Sequence, residues 1–176
     1  MMEHYPALIV IVPFLFAFVV SGAAWIKKTL CFPLALLGLG LSAWFSVCLL
    51  GRVATTGVVE YRMGGWESPW GISYYVDYLN GLVVAVVTLL AFINLIATRK
   101  NVTEETPEKA GAFYSLYLLF IVGLTGILMT GDLFNLYVLL EVASLTSYAL
   151  IGMGSGRAPM AALNYLFLGT VGGCFY

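Results

Sequence analysis

The sequence predicts an all-α protein, a polytopic transmembrane helix bundle of about six spans with an external β-hairpin loop between spans 2 and 3. Three observations carry this. Hydrophobic residues make up 61% of the 176 residues, charged residues only 10%, and mean hydropathy is +0.97, where a soluble domain carries roughly 25% charged residues to stay wetted. The charged side chains fall mostly in short clusters between long apolar runs, each near the roughly 20 residues that a helix needs to cross lipid. Those runs are apolar on every face, without the every-second-residue alternation of a lipid-spanning barrel.

The first run, 6–25, contains Pro13 and follows the N-terminal residues MMEHYP. That start lacks the positive charge and small-residue cleavage site of a secretory signal, so the first helix is expected to be retained. The second and third runs are 30–50 and 78–98. Between them VVEYRMGGWESPWGISYYVD places β-favouring residues, Val58 to Tyr61 and Ile72 to Val76, around a Gly-Gly, a proline and two tryptophans, which reads as a hairpin. Asp77 then reads as the cap of the third helix, the alternative being that Asp77 or Glu67 serves as an ion-entry ligand. The fourth run, 112–130, is preceded by Thr106, Pro107 and Glu108, a helix start with proline where no amide partner is needed. The fifth and sixth are 133–152 and 159–176, joined through Gly152-Met153-Gly154-Ser155-Gly156, a turn with no preceding strand.

Basic residues set the expected orientation. Lys27, Lys28, Arg99, Lys100, Lys109 and Arg157 lie in the connections on one face, and only Arg52 and Arg62 on the other. The bias places the N-terminus outside and the richer connections in the cytoplasm of a prokaryotic cell (inner) membrane. The Asn101-Val102-Thr103 sequon therefore falls on the cytoplasmic side and is set aside.

Several kinds of chemistry find no support. A net charge of −1 offers no basic footprint for nucleic acid. Cys31, Cys48 and Cys174 have no CxxC spacing or nearby histidine and read as small packing residues, and His4 has no visible partner as a metal ligand. There is no glycine fingerprint for a dinucleotide and no Ser/His/Asp set. The expectation is a chain with no catalytic centre, metal or cofactor of its own.

One residue stands out. The stretch TGDLFNLYVLLEVASLTSYALIG, Thr130 to Gly152, is of spanning length and carries a carboxylate, Glu141, near its centre. An intramembrane charge costs roughly 2.5 to 3.5 kcal/mol on insertion scales, so it is expected to face protein or water rather than lipid. At 3.6 residues per turn, Tyr137, Glu141, Ser144 and Tyr148 share one narrow face. Hydroxyls both donate and accept, so this stripe can hold water and relay a proton. Burial disfavours the charged form of a carboxylate and a nearby cation restores it, so a movable cation makes a switch. The other reading is a glutamate neutralised by hydrogen bonds or a static ion pair that fixes helix packing. Asn94, Asn164, Thr88 and Thr125 are weaker signals, since such residues most often bond to a neighbouring helix or to backbone.

The stretch GDLFNLYVLLEVASLTSYALIG resembles the fifth helix of the large antiporter-like subunits shared by Mrp-type cation/proton antiporters (D-type), respiratory complex I (NADH:quinone oxidoreductase chain N/M type) and membrane-bound hydrogenases. YRMGGWESPWGISYYVDYLNGL resembles the segment before the third helix of the same proteins, and LNYLFLGTVGGCFY their sixth. The resemblance implies that Glu141 is the family's essential fifth-helix glutamate on a proton-translocating axis. It implies other membrane subunits of an Mrp antiporter or complex I-like assembly, the lipid bilayer, and protons with sodium or potassium as partners. It also implies a host that is an antiporter, or an oxidoreductase or hydrogenase complex to which the chain would belong as a membrane subunit.

Members of that family run to about fourteen helices in two inverted repeats, each with a broken helix and a buried lysine. The seventh-helix lysine expected to pair with Glu141 has no counterpart among these 176 residues, and Asn164 stands where many members carry a lysine. The ending GTVGGCFY has no basic anchor after its apolar run. The chain is thus expected to be the N-terminal part of a proton-conducting subunit, rather than half of a naturally split one. The alternative function is a non-transporting membrane scaffold in such a complex.

Overall fold

The structure, a computed structural model, describes residues 4–66, 70–105 and 107–175. Glu67, Thr106 and Tyr176, named above as an ion ligand, a helix start and the end of the sixth span, lie outside the described residues. Among these residues six α-helices follow in order: α1 Tyr5–Ile26, α2 Cys31–Thr56, α3 Tyr78–Glu105, α4 Ala110–Met129, α5 Leu133–Gly152 and α6 Ala158–Gly173. Two short strands, β1 Val59–Arg62 and β2 Ser73–Val76, stand between α2 and α3. The first five helices are long and apolar enough to cross a membrane. The sixth has 16 residues, short of the roughly 20 that lipid requires.

The helix ends follow local chemistry. Pro6 and Pro159 occupy the first turns of α1 and α6, where a missing N–H costs nothing. Asp77 caps α3 in a reciprocal pair: its carboxylate accepts from the Asn80 N–H at 2.8 Å, and its own N–H donates to the Asn80 Oδ1 at 2.8 Å. Asp132 caps α5, accepting from the Phe134 N–H at 3.0 Å. The expected start of α4 is displaced. Pro107 to Lys109 form a turn and the helix begins at Ala110, because α3 continues past the apolar run. Its extra turns are held by Lys100 and Glu104 at i, i+4, 3.9 Å apart, and by the Thr103 hydroxyl donating to the Arg99 carbonyl.

Helix α1 packs on α2 and α4, α2 on α3, α3 on α4, α4 on α5 and α5 on α6. The core has two stacked parts. One gathers Val20, Cys31, Leu39, Leu95 and Leu118 at the end bearing the α1–α2 and α3–α4 connections. The other, around Ile9, Leu49, Val84 and Met129, includes Val59, Tyr74 and Val76 of the sheet. Bonds between helices supplement the apolar packing, as expected where lipid tails offer no hydrophobic driving force. Ser42 Oγ donates to the Ile9 carbonyl at 2.8 Å, Ser46 and Thr88 hydroxyls meet at 2.7 Å, and Tyr117 donates to the Ala91 carbonyl at 3.0 Å.

The strands pair antiparallel, Val59 opposite Val76 and Arg62 opposite Ser73. Their sheet is clamped to the α4–α5 turn. Tyr74 and Thr130 form an antiparallel bridge, and the Gly131 N–H donates to the Ser73 carbonyl at 2.9 Å. Beneath this, Asn135, buried in the first turn of α5, donates to Thr130 Oγ1 at 2.9 Å and hydrogen-bonds to the Tyr74 side chain. Burial raises the Tyr74 phenol above the ordinary tyrosine value, an effect partly offset by the Asn135 bond.

Asn135→Leu leaves the Tyr74 hydroxyl and Thr130 short of a partner. We expect a loss of about 1–3 kcal/mol, the cost of a buried orphaned polar group, read as a lower melting temperature. A raised folded pKa means that the Tyr74 contribution is complete below the ordinary value of about 10 and is lost as pH rises through the folded value. Melting temperature should therefore fall in that alkaline window, and Tyr74→Phe should flatten the fall.

Candidate functional site

The site is built on α5, whose orientation is dictated by α4. Leu139 and Ala143 are buried on one face of α5, and they meet two glycines of α4. A β-carbon at Gly123 would lie 2.8 Å from the Ala143 backbone nitrogen and 2.9 Å from its Cα; one at Gly126 would lie 2.7 Å from both methyls of Leu139. Small residues at such a crossing let two helix backbones approach closely. Glu141 is two residues from each of Leu139 and Ala143, a rotation of about 200° at 3.6 residues per turn. Its side chain is thereby turned away from α4.

On that opposite face lies α6. Glu141 is half-buried, its Oε1 3.0 Å from the point where a β-carbon of Gly173 would sit. Tyr148 is half-buried, its hydroxyl against Gly169 and its ring 6.0 Å from that of Tyr165. Ser144, also half-buried, lies on the same stripe between them. Tyr137 is 41% exposed. The structure thus brings Glu141 and Tyr148 to one helix–helix seam and leaves Tyr137 at its open end.

The electrostatics of the stripe are sparse. The described ion pairs are Arg62 with Glu60 in the sheet and Lys100 with Glu104 at the end of α3. Among the described residues the Glu141 carboxylate has neither a hydrogen-bond nor an ion-pair partner. Among the described residues no three His, Cys, Asp or Glu side chains converge as a metal set. Cys31 is buried, Cys48 half-buried and Cys174 exposed. The chemistry this arrangement can perform is proton exchange between a carboxylate and hydroxyls or water.

No protein-family model matches the chain. It is 40% identical to the N-type subunit of the NADH-quinone oxidoreductase of Desulforudis audaxviator, an alignment covering all of this chain and 35% of that one. The D-type subunit of the Na(+)/H(+) antiporter of Bacillus subtilis is 28% identical over 73% of this chain and 26% of its own length. Among solved structures, the membrane-bound sulfane sulfur reductase, an archaeal respiratory membrane complex, contains a chain that matches 97% of this one with a TM-score of 0.89 and 31% identity, over 35% of its length. A chain of the Mrp complex of Dietzia sp. DQ12-45-1b matches 98% of it with a TM-score of 0.80 and 26% identity, over 32% of its length. The chain belongs to the antiporter-like membrane subunit family.

As an antiporter-like chain it spans about a third, or less, of the length of these relatives. The motifs that carry the family resemblance lie in α5, the hairpin and α6, and the matched regions extend over nearly the whole chain. Three features of this region escape the sequence reading. Gly123 and Gly126 signal a close helix crossing by their spacing alone, Asn135 is a buried amide in the very stretch that holds Glu141, and the glycines of α6 read only as part of an apolar run.

Gly123→Ala should force α4 and α5 apart. We expect a loss of about 1–3 kcal/mol, typical of overpacking, seen as a lower melting temperature. Gly51→Ala, in a helix with nothing within 4 Å of the new methyl, should be neutral or stabilising by up to about 1 kcal/mol.

Proposed function

We propose that this chain forms part of the proton-translocating membrane subunit of an Mrp-type cation/proton antiporter or of a complex I-like oxidoreductase, with Glu141 as its proton site. One observation carries the reading. A carboxylate without a described partner sits in an apolar helix, rotated off the packed α4 face and onto a stripe with Ser144 and Tyr148. An uncompensated carboxylate at membrane depth is costly, and a role in moving protons explains its presence where packing does not. The relatives' names supply the setting: an oxidoreductase subunit, a sodium/proton antiporter subunit and an Mrp complex.

In this reading a proton reaches Glu141 from water held by Tyr137, Ser144 and Tyr148. The carboxylate is neutral while it carries the proton and regains its charge when it releases it. A cation supplied by another part of the complete subunit draws the equilibrium toward release as it approaches. Companion membrane subunits and lipid cover the exposed apolar faces of α5 and α6, such as Phe134, Leu163 and Phe167. Sodium or potassium is the counter-ion where the host is an antiporter. With α1 to α5 each crossing the membrane, the hairpin and the N-terminus lie outside the cell and the α5–α6 turn in the cytoplasm.

Glu141→Gln keeps the size of the side chain and removes its charge. In a complete assembly reconstituted into vesicles it should abolish proton-coupled transport and leave assembly intact. Undiminished transport would leave the scaffold reading in its place. In a background without the native cysteines, Ser155→Cys should react with an impermeant thiol reagent only from the cytoplasmic side, and Gly65→Cys only from outside. The reverse pattern would invert the orientation.

A further inference from the structure

We propose that Gly169 and Gly173 of α6 are positioning residues that seat the functional side chains of α5. The inference rests on the proton-site reading of Glu141 and adds two residues to it. Helix α6 runs back along α5 after a short turn, and the contacts between them keep one antiparallel register. Gly152 lies against Ala162, Tyr148 against Gly169 and Glu141 against Gly173. The sheltered positions of α6 follow the same line: Ala158, Ala162, Leu166, Gly169 and Gly173 are half-buried, and the residues between them are exposed. That spacing of three and four is one helical stripe.

Glycine stands on this stripe at the two places where α5 presents Tyr148 and Glu141. A methyl group at Gly169 would overlap the Tyr148 hydroxyl and lie 2.8 Å from Cζ and 3.3 Å from Cε2 of its ring. One at Gly173 would lie 3.0 Å from Glu141 Oε1. At Gly172, next in the chain but off the stripe, nothing lies within 4 Å. Helical propensity would favour alanine at all three positions. The seam therefore accepts the less helix-forming residue at the points where a polar side chain of α5 needs room. The recess at Gly169 holds the phenol in one place, and the recess at Gly173 leaves the carboxylate oxygen unblocked.

The test uses the complete assembly in vesicles, with Gly172→Ala as the control for helical propensity. Gly169→Ala should lower proton-coupled transport severalfold and lower the melting temperature, whereas Gly172→Ala should do neither. In a Tyr148→Phe background Gly169→Ala should cost clearly less of both, because the hydroxyl it would overlap is gone and only the ring carbons remain in its way; non-additivity of this kind marks direct coupling. Gly173→Ala should shift the pH profile of transport at unchanged assembly. The inference is overturned if Gly169→Ala is as harmless as Gly172→Ala, if it costs as much in the Tyr148→Phe background as with Tyr148 in place, or if the Gly173→Ala profile is unmoved. Glu141→Gln in the same series separates the two ideas. Transport retained there removes the proton site, while the melting-temperature coupling of Gly169 with Tyr148 still reports on the seat.

Discussion

The close crossing of α4 and α5 is the constraint on which the rest depends. Gly123 and Gly126 leave no room for a β-carbon against Ala143 and Leu139, so the packing face of α5 is fixed. The remainder of α5 follows from helical geometry. Glu141 is carried about 200° from that face, to the side where α6 lies. A single glycine pair thus settles which way the Glu141 carboxylate points. No bond to Glu141 itself is needed.

The start and the middle of α5 are anchored by different physics. At the hairpin end the anchor is polar: Asn135, Thr130, Tyr74 and the Gly131 amide join the strand to the α4–α5 turn. Such a network is strong where it is fully satisfied and costly where one member is removed. Along the middle the anchor is shape, with glycines meeting small or branched side chains. The stripe bearing Glu141 faces α6, where Gly169 and Gly173 lie against Tyr148 and Glu141.

Much of this is legible in the sequence because membrane helices announce themselves by length and composition. The apolar runs foretell all six helices, and Val58 to Tyr61 with Ile72 to Val76 foretell strands within a residue of their observed limits. Asp77 reads as a cap from its place before an apolar run, and it is one. The start of α4 is misplaced because solvent-exposed turns of a helix carry no hydropathy signal, and α3 extends through Arg99, Lys100 and Glu104 on side-chain pairing instead. The shared face of Glu141, Ser144 and Tyr148 follows from periodicity, but which neighbour that face meets does not. That depends on which glycines meet across α4 and α5, and periodicity within one helix does not specify it.

The direct test of this geometry is cross-linking in the native assembly. In a background with Cys31, Cys48 and Cys174 replaced, Glu141→Cys paired with Gly173→Cys should link rapidly through a short bifunctional thiol reagent. Leu139→Cys paired with Gly173→Cys should not, since Leu139 faces Gly126 of α4. Linking of the Leu139 pair in preference to the Glu141 pair would mean that the carboxylate does not face α6, and would contradict the account.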